Sequence, residues 1–171
     1  MQAWVEFPLT KGKVALVDVS DLLILARYRW YADKSCSHGV AWYARRTVSL
    51  GSGRTRAIGM HRWIMEPPPG MVVDHINGDG LDNRRANLRL ATVSQNGANR
   101  RGRIAGTKAK YIGVSKDPRH RNSAWRFRIF IGEEAVRGGG FATAEDAARA
   151  YDAAAIKAFG AFAKLNFPED S

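Results

Sequence analysis

Cysteine is nearly absent. Cys36 stands alone in 171 residues, which excludes a disulfide framework and any zinc site built only of cysteines. Long apolar runs are missing too: no stretch approaches the ~20 residues a membrane-spanning helix needs, and residues 1–10 lack the basic-then-apolar order of a secretory signal. A soluble, cytoplasmic protein is expected. Acidic residues are scarce in one place, because residues 84–128 carry 13 Lys and Arg against Asp117 alone, while 1–83 carry 10 basic against 8 acidic and 129–171 carry 4 against 7. The net charge of +11 therefore originates in the middle of the chain.

What is present is globular. The 45% hydrophobic and 25% charged fractions rule out wholesale disorder, and the length suits one domain or two small ones but not a large barrel or a kinase fold. Of the 27 basic residues 19 are Arg, whose planar fork suits phosphate and guanine better than the point charge of Lys does. A polyanion is the expected partner, with nucleic acid ahead of membrane because no amphipathic basic helix dominates. On charge alone, a solvated basic face remains the other reading.

Residues 13–19 and 40–49 are rich in β-branched and aromatic side chains and predict strands, whereas residues 20–30 carry a helix-like apolar face. Tyr28, Trp30, Tyr31, Trp42 and Tyr43 suit either a core or base stacking, and their clustering in short elements favours core. A helix after His61 must stop by Glu66, since Pro67, Pro68 and Pro69 cannot continue it. Residues 72–75 and 87–91 then read as strands joined through Asn77-Gly78-Asp79-Gly80, which tolerates positive φ. Thr92 and Gln95 have capping-box spacing and start a helix near Val93. Residues 100–110 are basic, contain glycine and lack a period, so they read as a linker able to lie along phosphates or as an unstructured tether.

From Tyr111 the pattern changes. Trp125, Phe127 and Ile129 alternate with Arg126, Arg128 and Phe130, predicting a strand with one apolar and one largely basic face. Thr143 and Asp146 cap a long helix on which Ala147, Tyr151 and Ala155 share a stripe.

Asp74 and His75 end the first strand of the middle segment, Asn87 opens the second, and Asn96 lies one turn into the helix. A strand–strand–helix hairpin of this size can gather all four around one cleft. Asp74 and the Asn96 amide are hard oxygen donors suited to Mg²⁺ or Mn²⁺, and imidazole has the ordinary pKa of a general base near neutrality. Asn and Asp are also common turn residues, so spacing alone leaves a structural role open.

The run Asp74-His75-Ile76-Asn77-Gly78-Asp79, Leu81-Asp82-Asn83-Arg84, Asn87-Leu88-Arg89 and Gln95-Asn96 resembles the HNH endonuclease family, in the Asp-His…Asn…Asn variant of phage and intron-encoded homing nucleases. The upstream PLTKGKVALVD and His61-Arg62 are similar to the scaffold of such proteins. The resemblance implies a ββα-metal nuclease module over residues 1–103 with its core motif at 71–101. It implies Asp74 and Asn96 as metal ligands, His75 as general base, and Asn87 as the catalytic-site residue that braces the hairpin and orients His75. Asn96 stands where many members carry a metal-binding His, which favours Mg²⁺ or Mn²⁺ over zinc or nickel. His61 opens a short helix beside Trp63 and is read as structural. His38 and His120 have no visible partner in sequence.

Residues 111–168 resemble the Apetala-type domain of plant ethylene-response factors, also found appended to phage HNH nucleases. The motifs are Tyr111-x-Gly113-Val114, Trp125-Arg126-x-Arg128-Ile129, the run from Phe141 through Thr143, Asp146 and Tyr151 to Ala155, and Leu165-Asn166-Phe167-Pro168. This implies a three-stranded antiparallel sheet packed on one helix, with Arg126, Arg128 and Arg137 facing the DNA major groove. Ser115 and Asp117 replace basic positions of the family, and Gly138-Gly139-Gly140 weakens the third strand.

The combined expectation is an α+β chain. A ββα-metal nuclease module with an N-terminal mixed α/β elaboration is followed by a basic linker at 104–110 and a DNA-binding sheet. It would be a Mg²⁺- or Mn²⁺-dependent endonuclease that nicks double-stranded DNA, a monomer on DNA with a dimer left open, encoded by a phage or mobile element and working in a bacterial host. Arg84, Arg85, Arg100 and Arg101 are the nuclease module's candidate DNA contacts. Two other classes compete: a sequence-specific DNA-binding regulator with a catalytically idle HNH fold, and a basic structural nucleoprotein without sequence preference.

Overall fold

Period-two patterning builds the first hairpin. In a computed structural model, which describes residues 3–35, 41–101, 110–118 and 124–170 (backbone alone for 98–101 and 170), β1 (Trp4–Pro8) pairs antiparallel with β2 (Val14–Asp18). Ala15 and Val17 of β2 point inward and are fully buried, as alternation requires. The chain divides into two compact units, residues 1–93 and 94–171.

The helix expected over residues 20–30 shrinks to a single turn, α1 (Leu22–Leu25). Its end has a local cause: the Leu25 carbonyl accepts from the Tyr28 amide at 3.1 Å and from the Trp30 indole N–H at 2.9 Å. The carbonyl that would extend the helix is thus taken, while Leu23 and Ile24 stay exposed. A three-stranded antiparallel sheet follows, in the order β3 (Tyr31–Ser35), β4 (Ala41–Ser49), β5 (Thr55–Gly59). Buried Arg46 on β4 explains part of the aromatic cluster, since its guanidinium lies 3.7 Å from the Tyr28 ring centre and 4.0 Å from that of Trp63. Tyr28 is thereby neither plain core nor an open stacking surface; it clamps a desolvated cation.

Helix α2 (Met60–Met65) ends at Glu66 in the left-handed region with φ 43°, where the three prolines forbid continuation. Strands β6 (Met71–His75) and β7 (Leu88–Thr92) then pair antiparallel, His75 opposite Leu88 and Asp74 opposite Arg89. Val17, Leu25, Trp30, Met60, Ile64 and Val73 form the core of this unit.

In the second unit α3 (Val93–Arg101) starts where capping-box spacing places it. A separate antiparallel sheet has β9 (Trp125–Ile131) between β8 (Val114–Lys116) and β10 (Glu134–Phe141). Phe127 and Ile129 are buried against Ala147, Tyr151 and Ala155 of α4 (Ala144–Phe159), so the apolar face and the small-residue stripe meet. Thr143 caps α4 by accepting from the Asp146 amide at 3.1 Å. The three glycines leave β10 intact but shift its register between Gly138 and Phe141. The linker at 104–110 lies, apart from Lys110, outside the described residues. Among the described residues no helix is long and apolar enough to cross a membrane.

A carboxylate closes this unit. Buried Asp152 accepts from the Asn166 amide at 2.8 and 3.0 Å, the Asn166 side chain at 3.1 Å and the Phe167 amide at 2.9 Å, while Asn166 Oδ1 accepts from the Ile112 amide at 2.6 Å. Removing it leaves several part-buried donors unsatisfied, so Asp152→Ala should destabilise the unit by about 1–3 kcal/mol. Hydrogen exchange at α4 amides measures this; protection unchanged from wild type would refute the role of the staple.

Candidate active site

Twelve residues connect β6 to β7, and polar side chains rather than backbone pairing hold them. Asn87 Oδ1 accepts from the Asn77 amide at 3.0 Å, and its Nδ2 donates to Asn77 Oδ1 at 3.0 Å and to the Asp82 carbonyl at 2.8 Å. Asn77 Nδ2 donates to Asp82 Oδ2 at 3.0 Å. Asn87 thus reaches both ends of the loop. The loop is also tied to β2: the Leu16 amide donates to the Leu81 carbonyl at 2.9 Å, and the Asn83 amide to the Leu16 carbonyl at 2.8 Å. Gly78 supplies the one positive φ of the loop, 75°; Gly80 is needed for space, since a Cβ there would collide with the Trp42 carbonyl and the Tyr43 ring.

Against this frame stand Asp74 and His75, buried at 5% and 6% exposure. Asp74 Oδ2 accepts from Arg89 Nε at 2.9 Å and pairs with Arg89 Nη2 at 2.8 Å, as their opposed register positions require. The His75 ring centre lies 4.9 Å from that of His61 and 6.0 Å from that of Tyr43. Burial lowers the His75 pKa, opposed by the Asn83 amide and by the charges of Asp74, Asp79 and Asp82. The imidazole is therefore held neutral near pH 7, the state a proton acceptor needs. Asn83 Oδ1 makes no well-formed hydrogen bond among the described residues, yet its amide favours the charged form of His75.

The structure brings Asp74, His75 and Asn87 together in the first unit, while Asn96 stands on α3 in the second. Arg84 and Arg85 are engaged within the fold: Arg84 donates to both oxygens of Asp82 at 2.7 Å, and Arg85 to both of Asp21 at 2.7 and 3.0 Å. The side chains of Arg100 and Arg101, and all of His38 and His120, lie outside what is described. In the second unit Arg126, Arg128 and Arg137 line, with Phe127, Gly138 and Gly139, a groove of about 450 Å³.

Three neighbours of the site are not signalled by the sequence. His61, which reads as structural, packs against His75, and no local spacing points to a partner fourteen residues away. Arg89 is accessible in principle, because β6–β7 pairing places it opposite Asp74. Asn83 stands inside the motif without a role of its own.

Among the described residues no three His, Cys, Asp or Glu cluster as a metal site. Within the first unit the Asp74 carboxylate is the oxygen-donor type that a hard cation such as Mg²⁺ takes, with its Oδ2 held by Arg89.

Comparisons with known proteins bear on this site. Residues 59–98, from the glycine before α2 to two residues past Asn96, match the HNH endonuclease family. An uncharacterized HNH endonuclease of Acanthamoeba polyphaga mimivirus is 31% identical over 162 residues, covering 91% of this chain and 76% of the viral protein. No solved structure matches. The site thus belongs to a nuclease, and the chain is a member of the HNH endonuclease family.

Burial also makes the site's stability depend on pH. Desolvation first, then the charges of His75, Arg62 and Arg45, lower the His61 pKa to about 3, against about 6.5 when unfolded. Below pH 6.5 the unfolded chain takes up a proton that the folded one refuses. This contribution is therefore intact above 6.5 and lost progressively as pH falls toward 3. At pH 5 the loss is about 2 kcal/mol. Urea unfolding at pH 7.5 and pH 5 should show His61→Phe losing that much less stability than wild type; identical pH dependence in both would contradict the assignment.

Proposed function

We propose that this chain is a divalent-metal-dependent DNA endonuclease in which His75 is the general base. The observation that carries the reading is the buried, neutral His75 beside the Asp74 carboxylate, at the end of a strand whose loop is fixed by Asn87. His75 takes a proton from water, the resulting hydroxide attacks the phosphodiester phosphorus, and the bond to the 3′-oxygen breaks to leave 5′-phosphate and 3′-hydroxyl ends. Asp74 and Asn96 offer a carboxylate and an amide oxygen, the donor types suited to Mg²⁺ or Mn²⁺, whose chemistry when bound is to neutralise charge on the phosphate and the leaving oxygen. Arg89 fixes the orientation of the Asp74 carboxylate. One such site per chain produces nicks.

Replacing the base tests this directly. His75→Ala should lower cleavage by roughly 10²–10⁴-fold, the usual contribution of a general base, with DNA affinity nearly unchanged. Full activity in the variant would end the assignment.

In the second unit Arg126, Arg128 and Arg137, on the sheet face away from α4, are proposed to contact double-stranded DNA, as the resemblance to Apetala-type domains implies. Two of the three are already steadied: Arg126 Nε donates to Ser115 Oγ at 3.2 Å, and Arg128 lies 4.9 Å from the Phe130 ring centre. Replacing all three with Gln should weaken binding and reduce the log–log salt slope by roughly 0.9 for each DNA phosphate no longer neutralised. An unchanged slope and unchanged site preference would show that this face does not bind DNA.

A further inference from the structure

His61 and His75 form an edge-to-face pair at 4.9 Å with their planes 69° apart, and Tyr43 flanks both, 6.1 Å from His61 and 6.0 Å from His75. The backbone makes room for this cluster. A Cβ at Gly59 would sit 2.5 Å from His61 Cε1, so the residue preceding α2 can only be glycine if the ring is to keep its place. His61 Nδ1 is shut off from solvent and has no hydrogen-bond partner among the described residues.

A buried polar atom without a partner costs free energy comparable to a lost hydrogen bond. A phenylalanine would fill the same slot without that cost, so packing alone does not account for an imidazole here. An orphaned buried polar atom calls for an explanation, such as a catalytic role or a bound water. Because the ring packs on the proposed base, that explanation is sought in the nuclease site.

We propose that His61 is a positioning residue for the nuclease reaction. Its ring sets the rotamer of His75, and its Nδ1 gains a hydrogen bond to a water of the site once DNA is bound, fixing the base against the phosphodiester. The inference rests on the reading of His75 as general base. His61 itself exchanges no proton with substrate.

The test is a double-mutant cycle on the full chain, using single-turnover cleavage of a duplex DNA substrate and, separately, DNA affinity. His61→Phe keeps the ring and deletes the nitrogens, whereas His61→Asn deletes the ring but places a polar atom where Nδ1 was. His61→Phe should cut the cleavage rate by roughly 10–100-fold with affinity within about twofold. His61→Asn should recover part of that loss. In a His75→Ala background His61→Phe should cost nothing further, because a residue acting through the base has no effect once the base is gone. A wild-type rate in His61→Phe, or losses from the two substitutions that multiply, would overturn the proposal. If His61→Phe fails to fold, as judged by thermal melting, the same cycle with His61→Asn decides by the same non-additivity. Failure of the underlying reading is distinguishable, since it would show as full activity in His75→Ala alone.

Discussion

Burying polar side chains in a loop is costly unless they find partners, and the loop between β6 and β7 meets that cost chiefly through Asn87 and Asp82. Asp82, Asn83 and Asn87 have 2%, 0% and 8% exposure, and Asn87 alone makes three hydrogen bonds spanning the loop between β6 and β7. Bidentate pairing with Arg84 keeps the Asp82 carboxylate below its usual pKa, so it stays an acceptor for Asn77. Anchoring to Leu16 of β2 extends the network into the hydrophobic core. If Asn87 lost its amide, the ends of the loop would separate and His75, hydrogen-bonded through its carbonyl to Gly78 at 2.9 Å, would lose its fixed position.

This rigidity explains how a histidine can be kept buried yet useful. Desolvation pushes His75 toward its neutral form, while nearby carboxylates and the Asn83 amide pull it back. Desolvation outweighs them, which leaves a lone pair available near neutral pH and acidic groups close enough to stabilise the imidazolium once a proton has been taken. His61 has no carboxylate to offset burial, and the charges of His75, Arg62 and Arg45 add to it, so its pKa falls to about 3. Burial thus lowers the pKa of both adjacent imidazoles, with carboxylates opposing the shift only at His75.

Much of this is legible in the chain before folding. Strand and helix positions around the motif follow from turn chemistry and capping: the three prolines set the end of α2, and Thr92 with Gln95 mark the start of α3. The alternation in 125–130 correctly assigns Phe127 and Ile129 to the core and Arg128 to the surface. What the chain does not reveal is tertiary. Residues 20–30 have a helical pattern, but the Trp30 indole captures the Leu25 carbonyl, an interaction that periodicity does not encode. The ion pair of Arg85 is invisible in sequence because its partner, Asp21, is 64 positions away. His61 is hidden for the same reason, since its partner is brought to it by sheet and loop geometry.

The central claim is that the site around Asp74 and His75 hydrolyses DNA with the help of a divalent ion. Incubation of supercoiled plasmid with the 171-residue chain, with Mg²⁺ and then with excess chelator, tests it most directly. The account predicts conversion to nicked circles bearing 5′-phosphate and 3′-hydroxyl ends in Mg²⁺ or Mn²⁺, weaker conversion in Zn²⁺, and none after chelation. Nicking that continues undiminished in chelator, or a plasmid left supercoiled under every metal, would contradict it.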